Sequence, residues 1–292
     1  MCGLSREESD VFKWTVLFFT VIFWGLAFTA IKYAVNFFTP YELAFLRFLV
    51  ADLLFIPTIL IKGYRIEKRD VWKIFILGIF GVTVYHVALN AGETMVSSGV
   101  ASLVIATAPV FVLLFSYLFL DERITLRKVA GIILALSGVY FLSDPESGGD
   151  VMGIAIVFIS TLSAGIYTVG GKIMMKKYSP QILTAYAMVL GTVPLTIYSA
   201  SSFSKMLSVD IIPALSVIFL GIFPTYISYQ GWYYFLSKEE ASRASVFLQT
   251  IPLVSIIAGV MLLGEPVTLY TLSGGFLIIS GVLMVLKDNG NG

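Results

Sequence analysis

The sequence predicts an all-α polytopic membrane protein: ten transmembrane helices, arranged as two inverted-topology five-helix repeats around a central cavity. Three observations carry that prediction. Of 292 residues, 58% are hydrophobic and only 13% charged, whereas soluble globular chains carry roughly a quarter charged residues. The apolar residues come in runs of about 18–24, long enough to cross a hydrocarbon core of roughly 30 Å as helix. The alternating pattern of a membrane barrel is absent. The third observation is a repeat.

Ala101–Val139 occurs a second time, 143 residues on. Ala101-Ser102, Thr107, Pro109, Leu120, Glu122, Thr125-Leu126, Gly131, Leu134 and Ser137-Gly138-Val139 reappear without a gap. Their counterparts are Ala244-Ser245, Thr250, Pro252, Leu263, Glu265, Thr268-Leu269, Gly274, Leu277 and Ser280-Gly281-Val282. Apolar segments share Leu, Ile and Val by chance; a Pro, a Glu, two Thr and two Gly in register point to an internal repeat. Upstream, Gly25, Lys32, Pro40 and Leu43 match Gly165, Lys172, Pro180 and Leu183 at an offset of 140. Gly78-Ile79-Phe80 matches Gly221-Ile222-Phe223 at 143, so the second copy carries a small insertion. The units are expected at 1–143 and 151–287.

In chain order the runs give spans at 14–35, 40–61, 72–91, 97–119, 126–143, 152–171, 180–199, 211–235, 244–263 and 268–286. Phe38-Thr39-Pro40, Asp144–Asp150 and Gly264-Glu265-Pro266 read as turns, and no linker could house a soluble nucleotide-hydrolysing domain. The lone cysteine, Cys2, rules out an internal disulfide or cysteine-cluster metal site. The first span follows a charged tail and is too long for a cleaved leader. No cofactor, metal or nucleic-acid partner is expected.

Placing the N-terminus inside puts fifteen Lys and Arg on one set of loops and Lys205 alone on the other. By the positive-inside rule both termini are cytoplasmic. Five spans per unit is odd, so the halves point opposite ways and Glu122 and Glu265 fall on opposite sides. Inverted repeats recur in secondary transporters, where two related halves give inward- and outward-facing states of similar energy.

These residues also carry a resemblance. Trp24-Gly25, Ala30–Tyr33, Leu46-Arg47-Phe48, Ala108-Pro109-Val110 and Asp121-Glu122-Arg123 resemble the EamA family of the drug/metabolite transporter superfamily. So do Ala241–Ser245, Pro252 and Gly264-Glu265 in the second half. The resemblance implies a ten-helix plasma-membrane protein whose cavity is lined by spans 1, 3, 4, 6, 8 and 9, exporting small metabolites such as amino acids. The second copy departs from the pattern, with Ala164 opposite Trp24 and Ala187 opposite Arg47.

Charged side chains within spans cost about 2.5–3.5 kcal/mol each on insertion scales, so each needs a reason. Lys32 and Lys172 either snorkel to the interface or attract an anionic or zwitterionic solute. Trp24, Phe28 and Lys32 are four apart and share one face, expected to line the cavity. In span 2, Arg47 and Asp52 are five apart and do not face each other; Asp52 either pairs with a neighbouring helix or couples transport to protons. His86 and Asn90 share a face of span 3 beside Tyr85. Their equivalents in span 8 are Ser228, Tyr229 and Tyr233, with Tyr226 and Trp232 close by; tyrosines with polar tips suit a mid-membrane pocket. His86 otherwise reads as a satisfied core residue. Tyr167 in span 6, and Thr107, Gln249 and Thr250 before the prolines, complete the candidate contacts. Pro109, Pro224 and Pro252 interrupt spans as kinks or hinges, and Gly131, Gly138, Gly274 and Gly281 suit close helix packing.

The sequence thus reads as a secondary transporter of a small organic solute, a monomer or homodimer in the bilayer. An anionic sugar- or lipid-linked substrate, or a passive channel, is the alternative. An intramembrane enzyme lacks its tools: one His, one terminal Cys and one deep Asp supply no nucleophile–base pair or metal set.

Overall fold

A computed structural model describes residues 6–119, 125–142, 149–236 and 248–286, with only the backbone given for 6–10, 233 and 236. Among the described residues the regular structure is all helical. Seven helical stretches are long and apolar enough to cross a membrane, and 251–263 and 269–285 are shorter apolar helices. Helix is the solution an apolar run must adopt in lipid, because it satisfies its own backbone polar groups.

Helix α1 is Arg6–Ala34 and α2 is Pro40–Lys62. Thr39 starts α2: its hydroxyl accepts from the Glu42 amide at 3.3 Å, while the Glu42 carboxylate accepts from the Thr39 amide at 2.9 Å. Gly63 ends it with φ of 62°, a left-handed cap that glycine adopts without strain. The third span is α3 (Val71–Gly78), a π-helical turn (Ile79–Val84) and α4 (Tyr85–Glu93). The fourth breaks at Ala106-Thr107 into α5 (Ser98–Ile105) and α6 (Ala108–Phe119), just before Pro109. Helix α7 is Leu126–Leu142.

The second half follows the same script. Helix α8 is Val151–Met174, and α9 (Pro180–Thr192) starts at Ser179, whose hydroxyl accepts from the Ile182 amide just as Thr39 does at the equivalent position. Beyond α9 the chain stays helical through a 3₁₀ stretch, Val193–Tyr198, into α10 (Ser199–Ser208), well past the predicted end of span 7. Helix α11 (Ile211–Leu220), a second π-helical turn (Gly221–Ile227) and α12 (Ser228–Leu236) repeat the plan of the third span. Helix α13 (Ile251–Ala258) opens with Pro252 in its first turn and runs into a third π-helical turn, Gly259–Leu263; α14 is Leu269–Leu286.

Contacts between the halves come in matched pairs. Gly78 lies on the Ala187 carbonyl, and its counterpart Gly221 lies on the carbonyl of Arg47, the counterpart of Ala187. Gly25 packs on Val254, and the equivalent Gly165 packs on Phe111. Gly131 meets Gly281 and Gly138 meets Gly274, so α7 and α14 run antiparallel with their glycine carbonyls in reciprocal contact. Small residues let helix backbones approach where lipid offers no hydrophobic drive to associate. One core, including Phe48, Phe55, Leu43, Leu103 and Val282, spans both halves. Leu53, Leu60, Ile61, Ile197, Leu215 and Phe276 face outward, where lipid suits them.

Candidate functional site

Two π-helical turns aim the inward residues of the third and eighth spans, as such turns do at many functional sites. Gly78 and Gly221, at or just before them, allow the backbone contacts described above. Thr83 Oγ1 donates to the Gly191 carbonyl at 2.6 Å. Pro224 has no N–H for the Leu220 carbonyl, and Thr225 Oγ1 takes that carbonyl instead at 2.8 Å. The residues that follow, Tyr85-His86 and Ser228-Tyr229, begin α4 and α12.

Beside these turns Arg47 is buried at 3% exposure, its Nε donating to Thr225 Oγ1 at 2.8 Å. Tyr85, Tyr229 and Glu93 lie within electrostatic reach of its guanidinium, which also sits 5.7 Å from the Phe48 ring centre. His86 stacks edge-on against Phe48 at 4.7 Å and Tyr85 at 4.6 Å. Steps of four and three place His86, Asn90 and Glu93 on one face of α4. All three are buried, yet both His86 nitrogens, Asn90 Oδ1 and both Glu93 carboxylate oxygens make no hydrogen bond to the chain. Buried polar atoms are ordinarily paired, and this face carries several that are not.

Around it, Lys32 Nζ donates to the main-chain carbonyl of Glu93 at 2.7 Å. Asn90 Nδ2 donates to the Pro40 carbonyl at 3.0 Å. The Glu265 carboxylate accepts from Ser98 N at 2.8 Å and Ser98 Oγ at 2.6 Å, at the start of α5, where the helix dipole favours an anion. Trp24 Nε1 donates to the Pro224 carbonyl at 2.8 Å and its ring meets Tyr229 and Trp232.

The predicted residues therefore divide. Trp24, Lys32, Tyr85, His86, Asn90 and Tyr229 gather around this buried polar cluster, and Phe28 is buried in the core. Tyr226 turns to a separate cleft, its hydroxyl 2.8 Å from Thr58 Oγ1 and its ring against Phe55; Phe55, Thr58, Tyr64, Gln181, Thr184 and Gln230 line that cleft. Tyr167 packs on Gly81. Thr107 is buried with its hydroxyl on the Val104 carbonyl. Gln249 is buried and its side-chain carbonyl has no hydrogen bond, while Lys172 and Thr250 are exposed. Asp52 is buried beside Thr192, its own counterpart 140 residues on. The side chain of Tyr233, with Glu122 and 241–245, lies outside the described residues. Arg47 as a member of this cluster and Glu93 were not singled out by sequence. The signal for Glu93 was the extension of the His86–Asn90 face by three residues.

At the basic end, loop residues from the two halves lock together. Lys177 Nζ bonds the Asp70 carboxylate and reaches Glu67 at 2.7 Å; Tyr178 OH donates to Asp70 at 2.8 Å, and the Glu67 amide donates to Tyr178 OH at 3.0 Å. Burial works against the Lys177 charge, but its bonds to Asp70, Glu67 and Tyr178 outweigh this and push its pKa above the ordinary lysine value. The same hydrogen bond from Lys177 holds the Glu67 carboxyl below the usual carboxylate range.

Comparison with known proteins accords with this geometry. The EamA-like transporter family matches the chain twice, at residues 13–144 and 151–287. An uncharacterized transporter of Archaeoglobus fulgidus is 54% identical over 94% of this chain and 99% of its own length. A probable terminal-alkyne amino-acid exporter of Streptantibioticus cattleyicolor is 30% identical over 92% of this chain and 91% of its own. A solved crystal structure 19% identical superposes with a TM-score of 0.64 over 92% of this chain and 94% of that one, a likeness of fold. With both halves matched and relatives named as transporters, the chain belongs to the EamA-like transporter family: a multi-pass membrane transporter, not an enzyme, that binds a small-molecule substrate.

Proposed function

We propose that this protein exports a small metabolite, such as an amino acid, across the plasma membrane by alternating access between two inverted five-helix units, 1–143 and 151–287. The matched contacts between halves carry the reading. Three glycine contacts between the units have twins in which the roles are exchanged: Gly78 on Ala187 with Gly221 on Arg47, Gly25 on Val254 with Gly165 on Phe111, and Gly131 on Gly281 with Gly138 on Gly274, so that α7 and α14 run antiparallel. Counting α7 and the two shorter apolar helices with the seven long ones gives ten spans. Two halves related this way can trade conformations at little net cost, which is what alternating access needs. The Lys and Arg excess on one set of loops supports cytoplasmic termini in this reading, with the protein acting as a monomer or homodimer without cofactor or nucleic acid.

The substrate chamber in this reading takes Trp24, Lys32, Tyr85, His86, Asn90 and Tyr229, with Pro109, Pro224 and Pro252 at the bending points. The relative named as an amino-acid exporter supports the solute class. Asp52 is the candidate for coupling export to protons, a carboxyl buried halfway along α2 beside its repeat counterpart Thr192.

Mass spectrometry of medium from cells overproducing the protein tests this. Small solutes accumulate outside, saturably, and much less with Lys32→Ala. An unchanged medium, or flux that neither saturates nor shows competition, refutes the transporter cycle. Export by Asp52→Asn that keeps its dependence on pH refutes the coupling role alone.

A further inference from the structure

We infer that Arg47 and Glu93 form a bipolar clamp, in which the guanidinium binds a carboxylate of the substrate and the Glu93 carboxylate binds an ammonium group of the same molecule. This rests on the export reading above and narrows it to zwitterions, against solutes carrying one charge only.

Four charged side chains lie in or beside this buried cluster, and they are not in the same condition. Glu265 is satisfied by the Ser98 amide and hydroxyl. Lys32 Nζ bonds the main-chain carbonyl of Glu93 and lies within electrostatic reach of its carboxylate, without a hydrogen bond to it. Arg47 has Nε on Thr225, and among the described residues no carboxylate is at ion-pair distance. Glu93 is fully buried with both oxygens unbonded. Arg47 and Glu93 lie within electrostatic reach of each other but leave the ion pair open. Buried charges that do not pair are strongly unfavourable, and a solute carrying the opposite charge would supply the missing partner. A solute bearing both charges closes the circuit in one step. A lone carboxylate leaves Glu93 unpaired, and a lone ammonium leaves Arg47 unpaired. The site then discriminates by the cost of the group left bare, the strongest form of polar selectivity.

The repeat supplies an independent reason. Positions that build the frame recur in both halves: the glycines at the helix contacts, the capping Thr39 and Ser179, and Pro40 and Pro180. Arg47 and Glu93 do not recur, for their counterparts are Ala187 and Leu236. Their charges serve something that exists once per molecule. Trp24, Tyr229, Tyr85 and Phe48 nearby offer apolar surface for the rest of the solute.

The full chain, purified in detergent, is incubated with a pool of the common L-amino acids, the amines obtained by decarboxylating them, and the acids lacking their amino group. Retained solutes are read by mass spectrometry. Wild type retains one or more amino acids and binds the matching amine and acid about ten- to a hundredfold more weakly, the range expected when one charged hydrogen-bonded contact is lost. Glu93→Gln lowers retention of the amino acid by a similar factor and raises the acid relative to it. Arg47→Gln does the reverse and favours the amine. Glu93→Asp, which keeps the charge, keeps the order of the three classes, and identical gel-filtration profiles show that the variants fold. A merely structural role would lower all three classes together. Equal retention of a single-charge class by wild type, no retention of any amino acid, or variants that leave the order unchanged overturns the clamp. Export of some other solute from overproducing cells in that event leaves the transporter reading standing; no export of any solute removes that reading as well.

Discussion

Gly138→Ala probes the seam between α7 and α14, where the two halves meet glycine to glycine. A methyl built on Gly138 stands 2.6 Å from the Gly274 carbonyl oxygen, 2.8 Å from Ile278 Cγ1 and 2.9 Å from the Ile278 amide nitrogen. Two of those three neighbours are backbone, so no side-chain rotation relieves them. Ordinary contact starts at 3.4 Å, so the helices must part locally by 0.8 Å. A gap of roughly 0.5–1 Å forfeits a quarter to a half of each dispersion contact it opens, and overpacking of this kind costs about 1–3 kcal/mol. On the soluble-protein scale of about 2–4 °C per kcal/mol, Gly138→Ala in detergent melts about 2–12 °C below wild type, read by circular dichroism. Gly281→Ala, the repeat counterpart, has backbone atoms of Ala135 and Gly131 at 2.5 Å and falls by a matching amount. Joining Gly138→Ala to Gly274→Ala costs less than the sum, because the first methyl has already parted the helices. Gly171→Ala is the control: its nearest neighbour would be 3.9 Å away, and a mid-helix glycine loses stability relative to alanine, so it melts at or above wild type. A Gly138→Ala protein that melts with the Gly171→Ala control refutes the close packing of α7 on α14.

Two more predictions concern the ends of the bundle. Lys177→Gln cuts the tie between the loops of the two halves and lowers the melting temperature. A raised lysine pKa stabilises below the unfolded value and is lost only as pH climbs past the folded one; a lowered glutamate pKa stabilises above the unfolded value and is lost only as pH falls past the folded one. With Lys177 raised and Glu67 lowered, the gap to wild type stays constant from about pH 5 to 9, and a gap that closes inside that window refutes the ion-pair origin. At the opposite end, Glu265→Ala removes the acceptor for both Ser98 donors and costs about 0.5–2 kcal/mol, as loss of a helix cap does; Glu265→Gln, which keeps one acceptor oxygen, loses less in the same melt.

What was legible in the sequence is what lipid and backbone dictate by themselves. Apolar runs had to be helices, Thr39-Pro40 and Ser179-Pro180 had to be starts, and Gly131, Gly138, Gly274 and Gly281 had to be contacts, because only glycine admits so near a neighbour. The site was legible where polarity sits deep in a span, as with Tyr85, His86 and Asn90. Glu93 escaped because the apolar run ends at about 91, so a glutamate just past it reads as loop; the fold buries it, with Lys32 Nζ on its main-chain carbonyl. Lys172 sits in a different setting from its counterpart. Its repeat counterpart Lys32 is drawn inward by the Glu93 carbonyl, whereas Lys172 stands exposed at the basic end. The π-helical turns carry no composition of their own beyond Gly78 and Gly221, and single-residue insertions in a helix do not disturb an apolar run.

Arg47→Ala separates frame from chemistry. The second copy already carries alanine at this position, Ala187, fully buried and in the same backbone contact: Gly78 rests on its carbonyl as Gly221 rests on that of Arg47. The frame therefore needs the carbonyl at this position and not the side chain. Truncation removes a buried guanidinium that has no carboxylate partner, relieving a desolvation penalty of several kcal/mol while opening a cavity and freeing Thr225 of one hydrogen bond worth about 1 kcal/mol. The terms oppose each other, so the variant melts close to wild type, within about 2 kcal/mol. Export, which needs the charge, is abolished. A fully stable Arg47→Ala protein that still exports its solute at the wild-type rate would show that the chamber draws nothing from this guanidinium. A protein that fails to assemble would show that the asymmetry between Arg47 and Ala187 belongs to the frame after all.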